Sequence, residues 1–579
     1  MWHRIGLAVL VTCLCVAVAS AADVEFRLLA VQTRTPSDRV QVLPTPLTGI
    51  GIFQNYYLEI WVSDIGVLNT GITSAYVDLI WDGLRATGKS MDHGTIFVVF
   101  PSGSVGEGQI DELGGSTLNR GEGIEPQWAR VAVVQTSADV IGIVEHSLKP
   151  SSTGVAAWGR GIIPWDQITL GSARVVLFAD CNANGVDDAT DIAKGTSKDC
   201  NGNAIPDECE TSSLPVLFVS SKETDSVLGY YSVTGQYLPP AVVRPGGGDL
   251  DYPNGIALDS RGDLYVASVG PNNVTKFSLA NGRRVGAYTG CGLAGPTGVL
   301  VSEPNRLLVG SWGDNSVKEF DLSAFSCIGD CVQPGSGGLN GPEAVIRKPN
   351  GNLLVSSFAS DQVLEYDGQT CAFARIAAQG CGLDGPTGLA LDDQGNLLVA
   401  SFHGGCILKF APDGSCLGFF VPPGGCGLVN PQGIAWGPNG HLFVCDRFAA
   451  RVLEYTRYGS CVRVFATGGG LNEPTFLTFG FRKQDCNGNG IPDGCDIAGG
   501  VSRDINRNGI PDECDVPGDM NCDGKVNNFD IDPFVFALTN PNKYVQLLPY
   551  CDRTLGDVNG DGKLNNFDID PFVKLLTGP

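Results

Sequence analysis

The sequence has little of several features on which common functions depend. Its 579 residues include 38 lysines and arginines against 62 aspartates and glutamates, so the formal net charge is -24. This balance excludes nucleic acid and anionic membrane surfaces as default partners. After residue 21 there is no stretch of about 20 apolar residues, so no membrane-spanning helix is predicted. Neither HExxH nor a nucleophile elbow is present.

Residues 1–21 have the pattern of an export signal peptide. A short basic start precedes an apolar run from Ile5 to Val18, and Ala19-Ser20-Ala21 is a small-residue cleavage site. We therefore expect a mature chain that is secreted or held at the cell surface. Two of the 20 cysteines lie in this segment, and the others all follow residue 180.

Export makes disulfide bonds the default state of the later cysteines. Their spacing before the next sequence repeat predicts the pairs Cys371–Cys381 and Cys416–Cys426. The partners of six others stay open: Cys291, Cys327, Cys331, Cys406, Cys445 and Cys461. Binding of a metal by thiolates is the alternative, and no C-x-x-C pair favours it.

Residues 22–178 lack cysteine and predict an antiparallel β-sandwich with its own core. Strand-like runs, with apolar and polar residues alternating, are separated by turn residues and cover residues 56–62, 75–81, 96–100 and 131–134. YYLEIWVSD and GITSAYVDLIWD resemble segments of the cohesin-type sandwiches of secreted bacterial proteins. His146 is isolated here, as a surface residue or an internally satisfied one.

Residues 214–480 repeat one pattern at intervals of 43 to 46 residues. Each copy opens with Pro and continues through a short apolar run, a turn and a second apolar run; in the complete copies V-x-x-[FY] or a close variant follows. The opening prolines are Pro253, Pro296, Pro342, Pro386, Pro431 and Pro474. Four short strands per period are typical of β-propeller blades. The last copy stops after one strand and the first begins at the second, so together the chain ends complete one blade.

The repeats contain no Trp-Asp dipeptide, which argues against the WD40 type. PNGIALDSRGDLYVAS and PTGLALDDQGNLLVAS instead resemble NHL repeats. The resemblance implies a six-bladed β-propeller and is weak evidence of function, because propellers serve many activities.

Residues 180–210 and 485–515 are two copies of one acidic module, and they flank the repeats. They agree at 19 of 31 positions, and each contains two loops with oxygen-bearing side chains at positions 1, 3, 5, 9 and 12. Ca²⁺ takes about six to eight oxygen ligands, which such loops supply. The predicted ligands are Asp180, Asn182, Asn184, Asp188, Asp191; Asp199, Asn201, Asn203, Asp207, Glu210; Asp485, Asn487, Asn489, Asp493, Asp496; and Asp504, Asn506, Asn508, Asp512, Asp515. The modules resemble thrombospondin type 3 repeats; the alternative is a solvated acidic linker.

Closure of the propeller would bring the two acidic modules together, and we expect them to pack as a clasp. Loop positions predict Cys181–Cys200 and Cys495–Cys514, which leaves Cys209 and Cys486 to bridge the modules. Six cysteines permit about fifteen connectivities, so others stay open.

Residues 518–579 contain a duplicated metal-binding pattern. GDMNCDGKVNNFDIDPFVFAL returns as GDVNGDGKLNNFDIDPFVKLL, and each copy is D-x-N-x-D-G-x-x-N-x-x-D. The predicted Ca²⁺ ligands are the side chains of Asp519, Asn521, Asp523, Asp530, Asp557, Asn559, Asp561 and Asp568 and the carbonyls of Lys525 and Lys563. A helix follows each loop, and its first apolar residues are expected to pack on the other copy: Ile531, Phe534, Val535, Ile569, Phe572 and Val573. Cys522 is predicted to pair with Cys551.

The whole C-terminal segment resembles a type I dockerin. Dockerins of polysaccharide-degrading assemblies bind cohesins, so the resemblance implies attachment to a cohesin-like domain. The cohesin-like sandwich at the other end of this chain makes self-association a hypothesis.

In a propeller, the loops before each first strand and after each second strand open on the same face. The sequence therefore predicts an inner ring of Asn254, Thr297, Glu343, Thr387, Gln432 and Thr475. It predicts an outer ring of Lys222, Val269, Trp312, Phe358, Phe402 and Arg447, with His403 and Phe448 beside it. Polar groups bordered by aromatic residues suit a ligand or peptide. The predicted ligand-binding residues are Glu343, Asn254, Gln432, Trp312, Phe358, Phe402, His403 and Arg447; alternatively, Phe358 and Phe402 only cap the packing of the blades.

An enzyme is the rival interpretation. Six-bladed lactonases hold a metal with Glu, Asn and Asp side chains of different blades, and lyases of this architecture use His with an acid. The inner ring has one carboxylate, Glu343, and only His403 and His441 lie in the propeller. His441 falls within a strand, where a structural role is expected.

The sequence thus predicts a mainly β, multidomain protein with Ca²⁺ as its cofactor. A six-bladed propeller follows an N-terminal sandwich, and a small α-helical calcium-binding dockerin ends the chain. The expected function is that of a secreted interaction protein, whose propeller face binds a protein or glycan and whose dockerin attaches it to a cohesin-like domain. The alternative is an extracellular lactonase, lyase or glycoside hydrolase of a polysaccharide-degrading complex.

Overall fold

The structure is a computed structural model of the chain. It describes residues 24–577 apart from 53, 66–70, 98, 103–104, 118–126, 158–159, 212–213, 240, 244, 246–249, 280–282, 303–304, 483, 488, 505–510, 512–513, 515–516, 522–525, 549–550 and 560–562. The expected signal peptide therefore lies outside the described residues. Two compact units are present: the first ends at Leu177, and the second runs from Phe178 and includes residues 51–53 and 139–141. None of the described helices is long and apolar enough to cross a membrane.

The first unit is built from two largely antiparallel sheets. Its strands are β1 Val24–Val31, β2 Arg39–Val40, β3 Gly49–Gly51, β4 Asn55–Asp64, β5 Ile72–Ile80, β6 Ala86–Asp92, β7 Val99–Ser102, β8 Gln109–Ser116, β9 Trp128–Ala138, β10 Gly142–Ala157, β11 Gly161–Ile163, β12 Ile168–Thr169 and β13 Ser172–Phe178. One sheet has the order β12-β1-β4-β9-β2, with β6 also on β9. The other has the order β3-β13-β10-β5-β8-β7, with β11 on β10.

The two sheets of this unit meet through a buried polar contact. Tyr56 Oη on β4 lies 2.9 Å from His146 Nε2 on β10, and both residues are fully buried. Burial lowers the pKa of His146 to about 3, so the ring stays neutral. His146 is therefore an internal residue and not a surface one. The arrangement agrees with the predicted sandwich, while its likeness to cohesins stays a prediction.

The second unit contains a β-propeller-like set of sheets. Five of them are four-stranded and antiparallel, with strands in sequence order: β16 Pro253–Leu258, β17 Leu264–Ser268, β18 Asn273–Ser278, β19 Arg283–Tyr288; β20 Pro296–Ser302, β21 Arg306–Ser311, β22 Ser316–Asp321, β23 Ser326–Val332; β24 Pro342–Arg347, β25 Leu353–Ser357, β26 Gln362–Tyr366, β27 Phe373–Gln379; β28 Pro386–Leu391, β29 Leu397–Ser401, β30 Cys406–Phe410, β31 Cys416–Val421; β32 Pro431–Trp436, β33 Leu442–Asp446, β34 Arg451–Tyr455, β35 Cys461–Ala466. Another sheet has the order β15-β14-β36, with β14 Leu214–Ser221, β15 Ser226–Tyr231 and β36 Pro474–Arg482.

These sheets form a ring through their first strands. Each strand that begins at an opening proline contacts the corresponding strand of the next sheet, and β36 contacts β16. β14 pairs with β36 from Leu214 opposite Arg482 to Ser221 opposite Pro474. The two ends of the repeat region therefore complete one sheet, as predicted.

One hydrogen bond recurs in every copy of the repeat. The last residue of the second strand is Ser or Asp, and its side-chain oxygen accepts a backbone N–H from the loop before the opening proline of the same sheet. The accepting residues are Ser221, Ser268, Ser311, Ser357, Ser401 and Asp446. This bond explains the Ser or Asp at the end of each second apolar run.

Close approach of neighbouring first strands explains the glycine of P-x-G. A Cβ on Gly255 would lie 2.1 Å from the carbonyl oxygen of Thr297, and one on Gly388 would lie 2.3 Å from that of Gln432. No side chain fits at these positions, because the atom it would meet belongs to the backbone.

Four disulfides join neighbouring sheets of the ring: Cys291–Cys327, Cys331–Cys371, Cys381–Cys416 and Cys426–Cys461. The predicted pairs Cys371–Cys381 and Cys416–Cys426 are therefore wrong. In three of the four links, a cysteine in the loop after one sheet's last strand faces a cysteine on the outermost strand of the next sheet. Cys406 and Cys445 are free and buried.

The acidic modules contain short helices, α1 Asp188–Lys194, α2 Asp207–Thr211 and α3 Asp493–Ala498. Cys181–Cys209 and Cys486–Cys514 close each module internally, and Cys200–Cys495 joins the two. The predicted connectivity, Cys181–Cys200, Cys495–Cys514 and Cys209–Cys486, is wrong. The expected bridge between the modules is nevertheless present, because the ends of β14 and β36 bring the modules together.

The C-terminal segment contains α4 Ile531–Thr539, α5 Pro541–Leu547 and α6 Ile569–Thr577. The rings of Phe534 and Phe572 stack with centroids 4.0 Å apart, as the predicted packing of the two copies requires. Ile531, Val535, Ile569 and Val573 lie on the same helices and are 41–47% exposed, so Phe534 and Phe572 form the buried part of this packing. Cys551 is disulfide-bonded, and its predicted partner Cys522 lies outside the described residues.

Replacing Cys291 and Cys327 together by alanine should lower the free energy of unfolding by about 2–4 kcal/mol, because their bond closes a loop in the unfolded chain. Calorimetric melting measures the loss. Cys406→Ala is the control, since it removes a buried cysteine without breaking a disulfide. Equal melting of the double variant and the wild type would contradict the stabilising role of the links between sheets.

Candidate functional site

The second residue of each first strand lies in a buried inner ring. Exposure of the six residues runs from 0 to 8%: Asn254, Thr297, Glu343, Thr387, Gln432 and Thr475. Threonine occupies every second position around the ring, and the residues between are an amide or a carboxyl. The ring thus has two sets of three residues with different roles.

The threonines bind neighbouring first strands together. Thr297 Oγ1 donates to the carbonyl of Pro342 at 2.7 Å, Thr387 Oγ1 to that of Pro431 at 3.0 Å, and Thr475 Oγ1 to that of Pro253 at 3.1 Å. Each acceptor immediately precedes a member of the other set. The threonine side chains are therefore used in the structure, and Asn254, Glu343 and Gln432 are left to face the centre.

Two oxygens of this second set have no hydrogen-bond partner among the described residues. They are Glu343 Oε2 and Asn254 Oδ1, and both are buried. Buried polar atoms without a partner are rare and cost about 1–3 kcal/mol each. The third member is engaged, because Gln432 Oε1 accepts from Arg447 Nη1 at 3.3 Å. The centre of the ring therefore offers two unsatisfied oxygens to a bound group.

Burial raises the pKa of Glu343 to about 7, although the positive charges of Arg447 and Lys222 and the side chain of Gln432 act in the opposite direction. Arg447 is paired, since its Nε and Nη2 both donate to Glu473 Oε2, at 2.9 and 2.7 Å. The ammonium of Lys222 lies 5.5 Å from the ring centre of Tyr252. Within the described part of the chain Lys222 has no ion pair at 4.0 Å or closer. Burial, and then the charge of Arg447, lowers its pKa.

Five side chains form a continuous aromatic arc beside the inner ring: Trp312, Phe358, Phe402, His403 and Phe448. Ring centroids are 5.4 Å apart for Trp312 and Phe358, 6.0 Å for Phe358 and Phe402, and 5.9 Å for Phe402 and Phe448. His403 packs on both Phe358 and Phe402. Trp312 and Phe448 are 37% and 58% exposed, whereas Phe402 is buried. The two ends of the arc are thus open to a ligand.

Part of the arc also packs against the ring. A Cβ on Gly385 would lie 2.9 Å from the Phe358 ring, and one on Gly341 would lie 3.0 Å from the Trp312 ring. Each glycine immediately precedes the opening proline of the next sheet. The capping role proposed for Phe358 is therefore present, and the same contact fixes Trp312 in place.

The structure joins Trp312, Phe358, Phe402 and His403 in one arc and Gln432 with Arg447, and it adds two residues that sequence reasoning missed. Tyr252 lies under the Lys222 ammonium, and Glu473 binds Arg447. Both immediately precede an opening proline, so their position in the repeat is the signal that could have found them. Val269, a predicted outer-ring residue, supplies no polar or aromatic group.

The three acidic-module loops that begin at Asp180, Asp199 and Asp485 have the same hydrogen bonds, while most of the fourth lies outside the described residues. The position-1 carboxylate accepts N–H groups of positions 5 and 6, as Asp180 does from Asn184 and Gly185 at 3.0 Å each. The counterparts Asp199 and Asp485 do the same. In each loop the position-5 amide also contacts the position-12 carboxylate: Asn184–Asp191, Asn203–Glu210 and Asn489–Asp496. The position-1 and position-12 carboxylates therefore both lie next to the position-5 residue, in a tight loop of the kind that binds Ca²⁺.

The position-9 carboxylates brace these loops. Asp188, Asp207 and Asp493 each accept the backbone N–H of the position-2 cysteine. Burial raises the pKa of Asp188 to about 6 and that of Glu210 to about 7. Asp496 Oδ1 is buried and has no hydrogen-bond partner in the described residues, as is expected of an oxygen that acts as a cation ligand. The donor set fits Ca²⁺.

The C-terminal loops also repeat one another. Both oxygens of the buried Asp530 accept backbone N–H groups, those of Asn521 and Asn527, and Asp568 accepts those of Asn559 and Asn565. Asp519, at position 1 of the first loop, is buried as well. Asn527 and Asn565 cap the short helices that follow them. The predicted ligands Asp523, Lys525 and Asp561, like Asn506, Asn508, Asp512 and Asp515 of the second acidic module, lie outside the described residues.

No protein-family model matches the chain, and no curated relative matches it. Among solved structures, a nidogen/laminin complex is similar over 46% of this chain and 98% of its own, with 15% identity and a TM-score of 0.39. Virginiamycin B lyase from Staphylococcus aureus is similar over 40% and 78%, with 14% identity and a TM-score of 0.33. A protein of unknown function from Bacteroides caccae is similar over 46% and 98%, with 14% identity and a TM-score of 0.36. Each likeness covers less than half of this chain.

The raised pKa of Glu343 predicts that the free energy of unfolding falls as the pH rises. The folded state holds the proton more tightly than the unfolded state, whose carboxyl has a pKa near 4.5, so stability contributed at low pH is lost as the pH rises to about 7. Glu343→Gln should remove this loss, which amounts to about 3 kcal/mol. Calorimetric melting of both proteins between pH 4 and 8 measures the difference. A difference that does not change with pH would contradict the raised pKa.

Proposed function

We propose that the chain is a secreted, calcium-binding interaction protein whose β-propeller face binds a protein or glycan ligand. One observation carries the proposal: Glu343 Oε2 and Asn254 Oδ1 are buried without partners at the centre of a ring that an aromatic arc borders. A pocket with few polar groups and an aromatic border is the usual form of a ligand site. The disulfides within the ring are consistent with an oxidising compartment.

The propeller in this proposal has six blades. Its support is the Ser or Asp hydrogen bond made in each of six copies, together with the pairing of β14 and β36. In a closed ring the second residue of every first strand faces one central channel. The ligand site is then the mouth of that channel.

Calcium is the cofactor in this proposal. It would be held by the carboxylate and amide oxygens of the loops in the acidic modules and of the two C-terminal loops. The repeated hydrogen bonds of the loops and the unpartnered Asp496 Oδ1 support this assignment. Bound Ca²⁺ would neutralise carboxylates that otherwise repel one another, and would make small modules rigid.

Attachment is the proposed role of the C-terminal segment, as a dockerin-type module. Phe529 and Phe567 occupy position 11 of the two loops and are 78% and 77% exposed. Exposure of a large apolar side chain at the same position of both loops supports a binding surface there. The proposed partner is a cohesin-like domain, on another protein or in residues 22–178 of a second copy.

Removal of calcium should destabilise the full-length protein. Free Ca²⁺ at about a hundredfold excess over Kd would add about 3 kcal/mol per site, so EGTA should lower the melting temperatures seen by calorimetry. Asp496→Asn should lower the number of Ca²⁺ ions bound in titration calorimetry by one. Asp532→Asn, an exposed change outside the loops, is the control. Identical melting with and without EGTA would overturn the calcium proposal.

Self-attachment predicts a calcium-dependent change of size. With Ca²⁺ the full-length protein should sediment as dimers or larger species, and it should sediment as a monomer in EGTA. The double variant Phe529→Ala, Phe567→Ala should stay monomeric in Ca²⁺, while Phe481→Ala, an exposed residue of β36, should behave as wild type. A wild type that is monomeric in Ca²⁺ would contradict attachment to a second copy.

A further inference from the structure

We propose that the centre of the ring binds an uncharged sugar residue of a glycan. This inference rests on the proposed function, in which the propeller face binds a ligand, and it names the class of that ligand. It follows from the hydrogen-bonding groups of the inner ring, from the charges around it and from the exposed aromatic surface beside it.

The acceptor oxygens of the inner ring favour a ligand that donates hydrogen bonds. Asn254 Oδ1 is an acceptor with no partner among the described residues, and so is Glu343 Oε2 when the carboxyl is ionised. The ammonium of Lys222 is a donor with no ion pair there. A hydroxyl group both donates and accepts, so several adjacent hydroxyls satisfy such a mixed set. An apolar ligand would leave two buried oxygens unsatisfied.

The surrounding charges disfavour a charged ligand. Two cations, Lys222 and Arg447, lie among three carboxylates, Glu343, Glu473 and Glu223, so charges of both signs surround the inner ring. A metal ion or a basic peptide side chain at Glu343 would lie within the field of two cations, which also act on the Glu343 carboxyl itself. An anionic group would meet Glu343 and Glu473. An uncharged, hydroxyl-rich group avoids both repulsions.

The aromatic arc and Tyr252 supply the apolar surface that a sugar ring requires. A pyranose has a face of C–H groups, which packs on the face of an aromatic side chain. Trp312, Phe448 and Tyr252 are 37%, 58% and 43% exposed and lie in different repeats. The Lys222 ammonium lies over the Tyr252 ring and the Arg447 guanidinium over the Phe448 ring, so we assign the packing of the sugar ring to Trp312. The Trp312 ring is fixed against Gly341, so binding would cost little side-chain entropy.

Titration calorimetry of the full-length protein with soluble hexasaccharides tests the inference. The uncharged probes are cellohexaose, xylohexaose and mannohexaose; the charged probes are hexagalacturonate and chitosan hexamer. At least one uncharged probe should bind saturably, and the charged probes should bind roughly ten-fold more weakly or not at all. Trp312→Ala and Glu343→Ala should each weaken binding about ten-fold or more.

Phe419→Ala is the matched control, because Phe419 is 56% exposed on the outermost strand β31, away from the inner ring. It should bind as the wild type does. Trp312 is partly exposed at the rim of the site, so Trp312→Ala is expected to fold. It therefore still tests the inference if Glu343→Ala fails to fold. Calorimetric melting of each variant establishes folding.

Stronger binding of a charged probe, lost in Trp312→Ala, would overturn the choice of an uncharged sugar and leave a ligand-binding propeller face. Binding that both variants retain would place the sugar elsewhere and overturn the inference. No binding of any probe would overturn it as well. Hydrolysis or elimination of a bound probe, lost in Glu343→Gln, would replace the binding function by an enzyme.

Discussion

The pairing of β14 with β36 is the contact on which the rest of the second unit depends. It joins residues more than two hundred positions apart in sequence, and it turns a row of sheets into a closed set. Closure also places residues 180–210 beside residues 485–515, where Cys200–Cys495 links them. A covalent bond at this point restricts opening of the ring, because separation of the two ends would require the modules to part.

The inner ring follows from how closely the first strands approach one another. Glycine at Gly255 and Gly388 lets the backbones meet, and three threonines each bind their first strand to the next one. The threonines that make these bonds occupy every second position of the inner ring. Asn254, Glu343 and Gln432 occupy the other positions and do not take part in them. Glu343 is costly to bury at high pH, and the protein keeps it there. A buried carboxyl that lowers stability in this way supports the ligand site proposed above.

The small modules illustrate a different source of stability. Neither acidic module is large enough to bury a substantial apolar core, so disulfides and hydrogen bonds to carboxylates take its place. Disulfides also link the sheets of the ring, although these sheets, unlike the small modules, bury many apolar residues. The inter-sheet disulfides hold neighbours at the periphery, while the threonines hold them at the centre. Two contacts between sheets have both kinds of link: Cys331–Cys371 with Thr297, and Cys426–Cys461 with Thr387.

The repeat spacing was enough to predict the sheets, the inner residues and the calcium-type loops, because each depends on a local pattern that recurs at a fixed interval. A proline, a turn and two apolar runs define the same strands in every copy. The pairing of the cysteines, the exposure of apolar residues on α4 and α6, and the place of Tyr252 and Glu473 beside the inner ring became visible only in the fold. These depend on distances between sheets and modules. Cys381 is closer in sequence to Cys371 but closer in space to Cys416, and spacing along a chain carries no record of that difference.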